Sequence, residues 1–199
     1  MKHFGRIYTS GPKDGQYYRC VTSLFLHLSF MHLFDNTIFI TLWGSIVSKM
    51  LGNKFSKMVY IWIFCGISGD FFSSIFAEDN TVCIGASTAI AGLFGVIIGF
   101  VILNWRRLDD YRYPKSSVII GVSIVIFMNL GWIFSGRYHN VDTLAHVGGF
   151  FGGIFLGMMT ADIPGEITTH FENKVKILGF SGYFGFVGIS FFIIHVLKL

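Results

Sequence analysis

Five polar side chains stand near the beginnings of three apolar stretches, where such residues are unexpected. They are His27, His32, Asn36, Ser87 and His146. Polar side chains inside a membrane are costly and are usually functional. A helix rises about 1.5 Å per residue. If the three stretches are membrane helices, we expect all five side chains to lie at one depth, on the order of 5–15 Å below the outer surface of the membrane. A serine beside a histidine suits acyl transfer, since the imidazole can take the hydroxyl proton.

The remaining polar groups suit the second requirement of amide hydrolysis, which is to stabilise an oxyanion. His32 and Asn36 are four residues apart, so they share one helix face and can each donate a hydrogen bond. Gly85 allows the backbone before Ser87 to approach a substrate, and the Ser87 N–H lies near a helix start, where amides are free. His27 lies roughly 140° around the helix from His32. We therefore expect His27 to hold a loop instead of taking part in the reaction.

Small residues form a stripe below the serine and another below the histidine. The first stripe is Ser87, Ala91, Gly95 and Gly99, and the second is His146, Gly149, Gly153 and Gly157. At these spacings each set shares one helix face, and small stripes let backbones approach closely in lipid. We expect the stripes to face each other and to bring the serine to the histidine. Taken singly, the features have simpler interpretations, because membrane serines usually bond their own backbone and small stripes are common packing devices.

The composition indicates where these stretches reside. The chain has 199 residues, 53% hydrophobic and 13% charged, whereas a soluble domain has about a quarter charged. A bilayer-spanning helix needs roughly 20 apolar residues. Six stretches fit this requirement: 24–48, 57–77, 83–104, 117–135, 143–161 and 177–197. The sequence therefore predicts a single domain over residues 1–199, an all-α polytopic membrane protein with a six-helix bundle.

Basic residues lie in the short loops between these stretches. One loop carries Lys49, Lys54 and Lys57, a second is basic on balance over residues 106–115, and a third carries Glu78 and Asp79. The positive-inside rule places the basic loops in the cytoplasm and the acidic loop outside. The basic residues of these loops therefore set topology, and the net charge of +4 does not indicate nucleic-acid binding. We therefore expect the five polar side chains to face the extracytoplasmic side of the membrane. We expect that membrane to be a bacterial plasma membrane.

Carboxylates and cysteines near the cluster have other expected uses. Asp142 lies four residues before His146, and we expect it to cap a helix N-terminus instead of completing a triad. Asp70 is an intramembrane carboxylate that should face the bundle and a polar partner. The three cysteines lack metal-ligand spacing. The sequence allows a disulfide between Cys20 and Cys83, but free, packed thiols are favoured.

Three segments of the chain resemble the rhomboid intramembrane serine proteases. They are "YYRCVTSLFLHLSFMHLFDN", "GASTAIAGLFG" and "AHVGGFFGG", which together cover about residues 18–161 in the family's order. The resemblance implies a catalytic dyad of Ser87 and His146. It also implies an oxyanion hole that includes His32 and Asn36. It also implies that Gly85 is the glycine of the serine motif and that Gly149 and Gly153 pack the histidine helix. Arg19 and His27 would support an outer loop.

The resemblance further implies an endopeptidase that cuts single-span membrane proteins near the outer face. Its partners would be those substrates and the lipid bilayer, with no nucleic acid, and it would need no metal, nucleotide or other cofactor; the oligomeric state stays open. One alternative is an inactive rhomboid-like protein that binds membrane clients without cutting them. A second is a transporter, which would predict charged residues across the bilayer depth and symmetric broken helices.

The chain departs from the family pattern at several places. Tyr18 precedes the arginine where the family has tryptophan, Ser48 replaces a usual glutamate that anchors the loop, and Thr88 follows the serine where several members have glycine. The family has a membrane helix before the arginine, and the eighteen residues available here are too polar to span. We expect the bundle to lack that first helix, or the chain to continue upstream. The stretch 177–197 resembles the added C-terminal helix of some members.

Overall fold

The computed structural model describes residues 7–8, 10–76, 82–108, 116, 119–124, 127, 142–163 and 169–197. Within them, five helices are long and apolar enough to cross a membrane. They are α3 (Phe30–Met50), α4 (Phe55–Phe76), α5 (Ser87–Asn104), α6 (Thr143–Thr160) and α7 (His170–Phe192). The predicted all-helical polytopic architecture is confirmed for the described part of the chain.

Short elements flank the five long helices. The helices α1 (Ser10–Lys13) and α2 (Arg19–Thr22) and a 3-10 turn (Ser23–Phe25) precede α3, and a π-helical turn (Ile193–Leu197) follows α7. Two-residue strands, β1 (Ile7–Tyr8) and β2 (Val82–Cys83), pair antiparallel. This pairing fixes the segment that leads into α5.

The first predicted helix begins later than the sequence indicated. Residues 24–29 do not belong to α3, because the chain is extended at Leu26 and the Ser29 hydroxyl accepts a hydrogen bond from the His32 N–H at 3.1 Å. Ser29 is thus the N-cap, and the cap sets the start of the helix at Phe30. The prediction that His27 lies on the same helix as His32 is therefore wrong.

The last and third predicted helices also begin at different residues. Helix α7 starts at His170 instead of 177, because Thr169 and Glu172 form a capping box that satisfies the first amides. Residues 170–176 are accordingly helical, although the sequence placed them in a loop. Helix α5 starts at Ser87 instead of 83, because residues 82–83 pair as a strand and Gly85 adopts a φ of 120°.

The predicted span 117–135 lies mostly outside the described residues. Of that stretch, residues 119–124 and 127 are described and helical.

Helix α5 occupies the centre of the bundle and contacts all four other long helices. Its side chains are almost all buried, including Ile90, Leu93 and Val96. Helices α3 and α7 instead expose large apolar side chains on their outer faces, among them Phe34, Leu42, Phe180 and Ile189. Exposed apolar faces of this size are expected where lipid covers them.

Candidate active site

Ser87 and His146 lie beside each other at one end of the bundle. Ser87 is the first residue of α5, and His146 belongs to the first turn of α6. The His146 Nε2 and Ser87 Oγ atoms are 2.8 Å apart, within hydrogen-bond distance. His146 is 5% exposed, and Ser87 is partly exposed. The geometry joins a nucleophilic hydroxyl to a group that can accept its proton.

Close packing of α5 against α6 brings the two side chains together. A side chain at Gly153 would overlap the carbonyl of Gly92, and one at Gly149 would overlap the carbonyl of Thr88. Further along the contact, Gly157 and Gly99 stand directly against each other. The two small stripes therefore do face each other, as their spacing predicts. The sequence missed Gly92, which belongs to the contact although it does not follow the spacing by four.

The start of α6 is fixed by Asp142. Its side chain accepts a hydrogen bond from the Ala145 N–H at 2.9 Å, so it is the N-cap that the sequence predicted. The Ser73 hydroxyl on α4 also donates to Asp142. This second bond, which no sequence pattern indicated, ties the beginning of the histidine helix to α4.

Gly85 shapes the turn that leads into Ser87. Its φ of 120° lies in a region that side chains rarely adopt, and its N–H donates to the Ser23 carbonyl at 3.0 Å. A Cβ at this position would lie 2.7 Å from His32 Cε1 and 3.7 Å from Asn36 Nδ2. Glycine therefore lets the backbone before Ser87 reach both side chains of α3.

Asn36 and His32 thus stand next to the Ser87 turn. Asn36 is 4% exposed, and among the described residues its Nδ2 has no hydrogen-bond acceptor. A buried donor without a partner is unfavourable unless another group uses it. An oxyanion beside Ser87 is a group that such a donor could bind.

His27 lies in the extended segment before α3, where it packs against His32. The two rings are 5.2 Å apart, and nearly perpendicular. Burial lowers the pKa of His27, and the neighbouring His32 lowers the pKa further. His27 is therefore expected to be neutral near pH 7 and to act by packing in this loop.

Arg19 belongs to α2, within the N-terminal segment. Its Nε donates to the Gln16 side chain, and its guanidinium lies 5.5 Å from the centre of the Tyr18 ring. Cys20 in the same helix is a free, buried thiol, and so is Cys65 on α4. The expectation of free thiols holds for these two residues, while the side chain of Cys83 lies outside those described.

A cavity of about 720 Å³ opens between α3 and α4 and ends at this site. Its end nearest the serine is lined by His27, Asn36, Trp62 and Ala86, and its far end by Ser48 and Lys49. Asn36 therefore borders both the Ser87 turn and this cavity. In the part of the chain that the structure describes, no group of three His, Cys, Asp or Glu side chains could hold a metal ion.

The helices and this site define a polytopic helical membrane protein with a serine–histidine pair near one end of the bundle. Residues 14–163 match the family model described as the Rhomboid domain. The chain therefore belongs to the rhomboid family.

Curated relatives support this membership. The chain is 32% identical to "RHOMBOID-like protein 7" of Arabidopsis thaliana over 72% of its length and 43% of that protein. It is 31% identical to "Rhomboid-like protease 1" of Toxoplasma gondii, over 80% of the chain and 52% of the relative. It is also 31% identical to "Rhomboid protease GluP" of Bacillus subtilis, over 76% and 28% respectively. The chain thus spans about half the length, or less, of these relatives.

Proposed function

We propose that this chain is an intramembrane serine endopeptidase that cleaves single-span membrane proteins. The observation that carries the proposal is the 2.8 Å approach of His146 Nε2 to Ser87 Oγ across the α5–α6 contact. Membership of a family in which two of the three relatives reported above are named proteases supports it. A buried histidine that is hydrogen-bonded to a serine between tightly packed helices is costly in a membrane and is best explained by chemistry.

In the proposed reaction Ser87 Oγ attacks the carbonyl carbon of the scissile peptide bond, and His146 Nε2 takes the hydroxyl proton. The resulting tetrahedral intermediate carries an oxyanion. When the carbon–nitrogen bond breaks, His146 gives the proton to the leaving amine, and the acyl group stays on Ser87 as an ester. Water, deprotonated by His146, then attacks the ester carbon. As the bond from that carbon to Ser87 Oγ breaks, His146 returns the proton to Ser87 Oγ and the second product is released as a carboxylic acid.

The oxyanion is proposed to be held by donors of α3 and by the amide of the serine turn. The proximity of Asn36 Nδ2 and the His32 ring to Gly85 supports this role. Donors of this kind act strongly where water is excluded, because the local dielectric is low. No cofactor enters the proposed chemistry.

The site is proposed to face the extracytoplasmic side of the membrane. Ionic contacts gather at the opposite end of the bundle, where Arg107 Nε lies 3.0 Å from Glu172 and Lys176 Nζ lies 2.7 Å from Asp162. Lys57 Nζ donates to the Thr160 carbonyl at the same end. Basic residues collect on the cytoplasmic side of membrane proteins, so this distribution supports an outward-facing Ser87.

The test combines a serine-directed fluorophosphonate with cleavage of a single-span substrate by the purified full chain in lipid vesicles. We expect labelling at Ser87 and cleavage, with both abolished in Ser87→Ala and nearly abolished in His146→Ala. Ser190→Ala is the control, because Ser190 is a helix serine whose hydroxyl donates to its own helix, to the Phe186 carbonyl. Wild-type protein that folds but neither labels nor cleaves would contradict the proposal and indicate a client-binding protein.

A further inference from the structure

Asp70 is a carboxylate buried in the bundle near the end that holds Ser87 and His146. It lies on α4 and is 2% exposed, and it accepts a hydrogen bond from the Ser23 hydroxyl at 3.3 Å. A buried carboxylate is costly unless hydrogen bonds compensate it. The proposed reaction makes no use of Asp70, so its presence requires another explanation.

Ser23 connects Asp70 to the serine turn. It is 1% exposed, and while its hydroxyl donates to Asp70, its carbonyl accepts from the Gly85 N–H at 3.0 Å. The side chain and the backbone of one residue therefore link α4 to the turn two residues before Ser87. The same carbonyl also accepts from the Leu26 N–H of its own turn at 3.1 Å. The bond to Asp70 adds a side-chain constraint on the orientation of Ser23.

A second connection leaves α4 one helical turn after Asp70. The Ser73 hydroxyl donates to Asp142. Asp142 caps α6 one helical turn before His146. Directly before Asp70, Gly69 packs so tightly that a side chain there would overlap both Thr88 and the carbonyl of Ala145. Thr88 and Ala145 are the chain neighbours of Ser87 and His146. One turn of α4 thus contacts a chain neighbour of each member of the candidate pair: the Thr88 side chain and the Ala145 carbonyl.

We propose that Asp70 and Ser73 are positioning residues, which hold the Ser87 turn through Ser23 and the His146 helix through Asp142. The proposal rests on the protease function proposed above. It adds the contacts that position Ser87 and His146 relative to each other. The proposal gives a role to the polar residues of "SGDFFSS", residues 68–74 of the apolar helix α4. The carboxylate of this segment, Asp70, takes no part in the proposed reaction. A misplacement of about 1 Å in such a site can cost on the order of 100-fold in rate.

The first test measures the rate of fluorophosphonate labelling and the kinetics of cleavage for Asp70→Ala. We expect both the labelling rate and kcat to fall roughly 10–100-fold, with KM changed less than about 3-fold, because alignment is lost and substrate binding is not. Asp70→Asn should recover most of the activity, since its amide oxygen still accepts from Ser23. Activity of Asp70→Ala equal to that of the wild type would overturn the proposal.

Ser74→Ala is the matched control for these changes. Ser74 is buried in the same helix turn, but its hydroxyl donates to the Asp70 carbonyl of its own helix. We expect this variant to keep the wild-type rate, whereas Ser23→Ala and Ser73→Ala should slow the reaction. If Asp70 acts through Ser23, the double variant Asp70→Ala/Ser23→Ala should be no slower than Asp70→Ala alone. Additive losses, or an equal loss in Ser74→Ala, would contradict the linkage.

A second readout does not depend on activity, so it separates this proposal from the protease function. Amide hydrogen exchange of the full chain in vesicles, resolved at Gly85, reports the bond to Ser23 directly. We expect Asp70→Ala to speed exchange at Gly85 by about 10-fold or more while the Val96 amide in central α5 stays protected. Unchanged exchange at Gly85 would refute the positioning role, even in a chain without protease activity. Faster exchange in an inactive chain would refute only the protease function.

Discussion

At the scale of single residues, the site depends on groups whose hydrogen-bonding capacity is not used up by the fold. Several hydroxyl groups on the long helices, such as those of Thr37 and Thr41, donate to a carbonyl of their own helix. Ser87 instead directs its hydroxyl at His146, and the Asn36 nitrogen is buried without an acceptor in the described part of the chain. This contrast separates candidate functional residues from packing residues more sharply than residue type does.

Replacement of Asn36 tests the oxyanion assignment. We expect Asn36→Ala to lower kcat by about 10–1000-fold, because one donor to the transition-state oxygen is lost. Thr37→Ala serves as the control, since Thr37 is adjacent in α3 but its hydroxyl donates to the Leu33 carbonyl. Cleavage rates by both folded variants give the comparison, and an Asn36→Ala protein as fast as Thr37→Ala would remove Asn36 from the oxyanion site.

His27 gives a pH-dependent contribution to stability whose sign follows from its environment. Its pKa in the folded chain is lowered from 6.5, first by burial and then by His32. The unfolded chain therefore binds more protons as the pH falls through 6.5, and stability is lost toward acid. We expect the Tm in detergent to drop from about pH 8 to about pH 5, and less steeply in His27→Gln. Parallel Tm profiles for the two proteins would show that His27 does not contribute.

At the scale of elements, the contact between α5 and α6 was predictable because glycine spacing encodes it directly. Each glycine of the α6 stripe stands against an α5 backbone atom. The starts of α3 and α7 were not predicted correctly, because apolar runs give no sharp boundary and the caps at Ser29 and Thr169 decide it. The bond from Ser73 to Asp142 was equally hidden, since a tertiary hydrogen bond leaves no periodic signal in the sequence.

Glycine substitutions at the helix contact test its importance. We expect Gly153→Ala to lower the unfolding free energy by about 1–3 kcal/mol through overpacking, and to slow cleavage by separating Ser87 from His146. Gly185→Ala is the matched control, because a Cβ at Gly185 on α7 would meet no atom within 4 Å. Denaturant unfolding and cleavage assays on both variants provide the measurements. Equal stability and activity in the two would show that α5 and α6 tolerate a wider separation.

At the scale of the whole molecule, polar groups are divided between the two ends of the bundle. Ser87, His146 and Asp70 gather at one end, and the ion pairs of Arg107 and Lys176 at the other. A chain in a membrane can keep such a division because the apolar middle excludes charges. Family membership was predictable from three short motifs, whereas the network beneath the site required the three-dimensional contacts of α4.

The orientation of the molecule is testable with single cysteines in a background where the three native cysteines are replaced. A cysteine at Lys54 lies at the charged end, beside the start of α4. One at Asp79 follows the last residue of that helix, Phe76, by three positions in the sequence, in the acidic segment that the sequence predicts to be outside. Because basic loops stay in the cytoplasm, a membrane-impermeant maleimide applied to intact cells should label the cysteine at position 79. The cysteine at position 54 should react only after lysis, which also serves as the control for its reactivity. The reverse pattern would place Ser87 and His146 at the cytoplasmic face, and the proposed substrates would then be cut near their cytoplasmic ends.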